Sequence, residues 1–105
     1  MARSVRKIRL TGADQKARAT ACRLIGFSIR ESAGVSSASA LIYDNASAAS
    51  GDVIPVTLAA GESTREWWAA AGEDVLPGVL MENGIFVDVG GTGTVEGVLF
   101  VLDGA

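Results

Sequence analysis

The stretch TACRLIGFSIRE, residues 20–31, decides the fold. Ala21, Arg23, Ile25, Phe27 and Ile29 alternate in it with Cys22, Leu24, Gly26, Ser28 and Arg30. A period of two belongs to a β-strand, whose successive side chains point to opposite faces. The spacing puts Ile25, Phe27 and Ile29 on one face. Downstream, after a turn at residues 31–36, Ala38, Ala40 and Ile42 alternate with Leu41 and Tyr43. Residues 44–51 are small and polar and read as a loop. Residues 52–58 form another strand, and Pro55 within it marks an edge or a bulge. Residues 64–69 carry the adjacent pair Trp67 and Trp68, and residues 70–78 read as a loop.

The C-terminal third reads as a hairpin. Ile85, Val87 and Val89 alternate with Phe86 and Asp88, and Gly90 to Gly93 make the turn. The return strand places Val95, Leu99 and Val101 on one side and Val98, Phe100 and Leu102 on the other, with a bulge expected near Gly97. Upstream, residues 4–11 read as an edge strand or an extended arm, with Arg6, Ile8 and Leu10 on one face. Residues 12–19 are polar and read as a loop. No stretch shows a helix with an apolar stripe. About seven or eight short antiparallel strands, with turns every ~8–12 residues, predict an all-β domain, a β-sandwich or jelly-roll-like fold. Residues 1–19 are expected to be a basic N-terminal arm and loop, and residues 20–105 the sandwich. Aromatics are only 6% of the chain, so the core must be aliphatic.

Composition removes most catalytic chemistries. The chain has no histidine, which excludes the usual Ser-His-Asp triad and Cys-His pair. The single cysteine, Cys22, permits no intrachain disulfide and reads as a small buried hydrophobe. No Cys/His cluster suits zinc. The Gly90–Gly97 run has neither the spacing nor the following helix of a nucleotide loop. Asp44, Asn45 and Asp52 lack the spacing of an EF-hand. The expectation is a non-enzyme with no catalytic, cofactor or metal residue, acting through its surfaces.

Two surface features stand out. Residues 1–30 carry eight Lys/Arg against one Asp, a net +7, and residues 31–105 carry one Arg against eleven carboxylates, a net −10. Such polarity points to a basic segment meeting an acidic partner. The second feature is the tryptophan pair, because neighbours on a strand face opposite ways. If both are extended, one of Trp67 and Trp68 enters the core and the other points out as an oligomer or partner contact; a bend at the strand end would instead tuck both into the domain. The basic segment contains no aromatic residue, which argues against nucleic acid for want of a stacking platform. No apolar run approaches the roughly 20 residues needed to span a bilayer, and no targeting segment is read, so synthesis in the cytoplasm is expected.

Several of these stretches together resemble a known group. They are Arg23 to Gly34, the strand ending Leu41-Ile42-Tyr43-Asp44, Ile54 to Ser63 with Trp67, and Gly84 to Val89 followed by Thr94 to Val101. The pattern, over roughly residues 20–102, is similar to small β-sandwich head decoration and minor structural proteins of tailed bacteriophages, especially those of actinobacteria. The resemblance implies a virion protein on the outer capsid surface that binds the major capsid protein as a homotrimer and stabilises the head. Arg3, Arg6, Lys7 and Arg9 would then form the arm that meets carboxylates on the shell. A minor tail or head–tail junction protein is the alternative within this setting. A carbohydrate-binding module for host attachment, using an outward tryptophan, is the alternative outside it.

Overall fold

A computed structural model describes residues 5–68 and 77–103. Among these residues there are nine strands and no helix. They are β1 (Val5–Arg9), β2 (Gln15–Arg18), β3 (Cys22–Glu31), β4 (Ala38–Tyr43), β5 (Val53–Leu58), β6 (Ser63–Trp67), β7 (Val79–Met81), β8 (Ile85–Gly91) and β9 (Val95–Asp103). Every pairing is antiparallel. One sheet runs β1-β9-β3-β6, with β7 also on β3; the other runs β2-β8-β4-β5. With β7 set aside, this is the strand order of a jelly roll, an all-β sandwich whose chain crosses repeatedly between two four-stranded sheets.

The core lies between the sheets and is aliphatic, as the composition requires. Leu24, Ile29, Leu99 and Val101 from the first sheet meet Ile42, Ile85 and Val87 from the second, all fully buried. Cys22 is buried among them, and burial pushes its thiol pKa up. Pro55 lies on β5, which pairs only with β4, so it sits at the sheet edge the proline demanded.

Three details differ from the sequence reading, each for a physical reason. The bulge lies in β3, between Leu24 and Gly26, and not near Gly97. It moves Cys22 and Leu24 onto the inner face with Phe27 and Ile29, where strict alternation would have turned them out. Second, residues 15–18 are a strand on β8, not a loop. Gln15 secures its entry: its amide nitrogen donates to the Arg9 carbonyl (3.0 Å) and its amide oxygen accepts from the Thr11 N–H (3.0 Å). Third, β7 is a three-residue strand on the start of β3, too short to show periodicity. As for residues 5–9, the edge-strand reading holds: β1 pairs with β9 from Val5↔Leu102 to Arg9↔Val98.

Glu31 closes one end of the sandwich. It is the one buried charged residue in the described core, 2% exposed. Its Oε1 accepts from the N–H groups of Gly34 (2.7 Å) and Gly61 (2.9 Å). Its Oε2 accepts from those of Thr94 (2.8 Å) and Ala33 (2.9 Å). One carboxylate therefore pins the turns after β3, before β6 and before β9. Those four N–H donors, Thr94 foremost, hold its pKa down at about 2 against an ordinary 4.5.

Candidate interaction face

The outer face of the first sheet brings together residues that are distant in sequence. Register aligns Trp67, Gly26, Phe100 and Lys7 in one row across β6, β3, β9 and β1. The next row is Arg65, Ser28, Val98 and Arg9. On the other side lies the row Leu80, Arg23, Leu102 and Val5. Arg30 and Glu96 pair at the far end.

Trp67 is the most exposed aromatic on this face, at 61%. Its ring meets Phe100 edge-on, with centroids 5.7 Å apart at 67°. Trp68 turns the other way. It packs edge-on against Phe27, 5.9 Å between centroids, and its backbone N–H donates to the Ile25 carbonyl (2.8 Å). Alternation thus splits the pair, with Trp67 outward and Trp68 against the core. Gly26 makes Trp67's position possible. A Cβ there would lie 3.1 Å from Trp67 Cε3 and collide with the Glu66 carbonyl oxygen. Gly26→Ala is therefore expected to push β6 away and change the near-ultraviolet circular dichroism of Trp67. An unchanged spectrum and an unchanged melting temperature would contradict this packing. Beside the ring runs an open groove of about 430 Å³ lined by Phe27, Ser28, Arg65, Glu66, Trp67 and Phe100.

The face is basic. Among the described residues, Lys7, Arg9, Arg23, Arg30 and Arg65 stand on it in the rows given above, with Glu96 among them and Glu66 lining the groove beside Trp67. Glu96 lies 3.5 Å from Arg30 Nη2, and a Ser32 hydrogen bond and Arg30 lower its pKa. Arg23 Nε donates to the Pro77 carbonyl at 2.8 Å. Among the described residues, Lys7, Arg9 and Arg65 have no carboxylate partner within 4 Å. The outer face of the second sheet is different. Phe86, Tyr43, Leu41, Val53 and Pro55 form its centre, with Lys16 and Asp88 beside them. Burial, and then Asp14 alongside, raise the Asp88 pKa.

The basic residues expected to form an arm therefore separate. Arg3 lies outside the described residues. Arg6 points away from the basic face, and its Nε is 2.6 Å from Asp103 Oδ2. Arg18 Nη2 meets the other oxygen of Asp103 at 2.5 Å, so that carboxylate links β1 to β2. Lys7 and Arg9 join Trp67 on one face. Part of the basic segment, Lys7 and Arg9, thus shares one surface with the outward tryptophan. The sequence reading singled out none of Phe100, Arg23, Arg30 and Arg65 as a contact residue. The available signal was Arg65, two residues before Trp67 on the same strand and therefore on the same side. Burying the rest of the Trp67 ring would contribute about 2–4 kcal/mol. Comparison with family models, with curated proteins and with solved structures returns no match.

Proposed function

We propose that this protein is a structural component of a bacteriophage particle, a decoration protein that binds the major capsid shell from outside as a homotrimer. The observation that carries the reading is the basic face centred on Trp67. It gathers on one sheet exposed aromatic surface and three cations, Lys7, Arg9 and Arg65, that have no carboxylate partner within 4 Å among the described residues, which suits a protein contact. The resemblance of residues 20–102 to phage head proteins supports the setting. Jelly rolls serve viral capsid and lectin domains alike, so the fold supports the reading without deciding it. Imaging of intact particles is the test. A copy number that follows the capsomers, with density outside the shell, is expected. One small ring at the neck or tail would replace this reading by the junction alternative.

One observation favours a second reading. The Trp67 ring beside Ser28, Arg65 and Glu66 also has the make-up of a sugar platform, an apolar plane with hydrogen-bonding neighbours. Binding to a cell-wall glycan that Trp67→Ala abolishes would support it, and absence of binding across such glycans would remove it.

A further inference from the structure

We infer that the outer face of the first sheet docks, as a rigid surface, onto an acidic protein surface with an apolar recess for Trp67. This rests on the proposed decoration role and names the chemistry of its partner. The face has the anatomy of a protein interface, with an apolar centre and a charged rim. Beside Trp67 and Phe100, that centre is made of the aliphatic residues Val98, Leu102 and Val5. A strand of nucleic acid would use stacked aromatics along a cationic track, and a sugar would use one ring with polar neighbours. Neither uses the aliphatic surface. The rim is four arginines and a lysine, and arginine and tryptophan are the residues that most often dominate binding energy. Meeting a second copy through this same face would set cation against cation, with only Glu96 and Glu66 among the described residues there to offset them. The complementary surface is therefore an acidic one, here on the shell.

Docking by a sheet face also differs from docking by an arm. β1 is already bonded to β9 along its length, so Lys7 and Arg9 are presented without an ordering step. That lowers the entropy cost of association.

The test uses heads assembled without this protein. Wild type, Trp67→Ala and the double variant Lys7→Glu/Arg65→Glu are each titrated onto them and followed by sedimentation. Near-ultraviolet circular dichroism of Trp68 reports that each variant is folded. Wild type should bind, and Trp67→Ala should weaken binding by about 30-fold or more. The double variant should weaken it too, and its remaining binding should depend less on salt. Heads that bind wild type and both variants equally would overturn the docking face and leave the decoration role standing. Heads that do not bind wild type would overturn both. Trp67-dependent quenching by an oligothymidylate, or Trp67-dependent self-association of the free protein, would overturn the acidic-protein partner in favour of nucleic acid or a second copy.

Discussion

Glu31→Gln is expected to lower the melting temperature by roughly 10 °C or more, read by thermal denaturation at neutral pH. The reason is a count of donors and acceptors. Four backbone N–H groups point at the Glu31 carboxylate. A glutamine keeps one acceptor oxygen and turns the other atom into a donor. Two N–H groups then lose their partner and face an N–H₂ group instead. The turns after β3, before β6 and before β9 lose their common anchor together. The same residue sets an acid dependence. Its folded pKa of about 2 lies below the ordinary 4.5. A depressed carboxylate stabilises the fold above its unfolded pKa and loses that contribution as pH falls through the folded one. Stability should therefore decline from about pH 4.5 towards pH 2, with Glu96 acting in the same direction. Glu31→Gln should flatten that decline. A variant with wild-type melting temperature and wild-type acid sensitivity would refute the anchoring role.

Gly97→Ala is expected to destabilise the fold by roughly 2–6 kcal/mol, strain and overlap combined. Gly97 lies in β9 opposite Ile29, in the strand pair at the centre of the first sheet. Its φ is +154°, a conformation that L side chains rarely adopt. A Cβ there would strike the Ser28 carbonyl oxygen and lie 2.8 Å from Ile29 Cα. Both are backbone atoms of the neighbouring strand and cannot rotate aside. The strands must part or the β9 backbone must twist. Chemical denaturation measures the loss, and a variant within about 0.5 kcal/mol of wild type would show that β9 can shift without cost.

These positions show where sequence reading succeeds and stops. The alternation in residues 22–31, 38–43, 85–91 and 95–103 is legible because each strand has one face in the core and one outside. The β3 bulge is illegible because Cys22, Leu24 and Ile25 are all apolar, so either phase fits the pattern. β2 is hidden by its polar composition, QKAR, and its place is set by β8 across the pair. The aromatic–basic face was visible only in pieces. Joining Lys7 to Trp67 takes three registers between distant segments, and no local pattern encodes them. Glu31 looked like a turn residue because its partners come from three separate loops.

The central pairing also governs when the protein can fold. β3, the strand on which the fold was first read, spans residues 22–31, and its longest partner spans residues 95–103. Every residue between them must be synthesised before that pair can close. Contacts between segments this far apart carry a large loop-closure cost and slow the search. Until then β3 can pair only with β6 and β7, and its other edge stays without a partner. Folding should therefore wait on the arrival of β9, and a chain stalled before residue 95 should be the species that aggregates or recruits a chaperone.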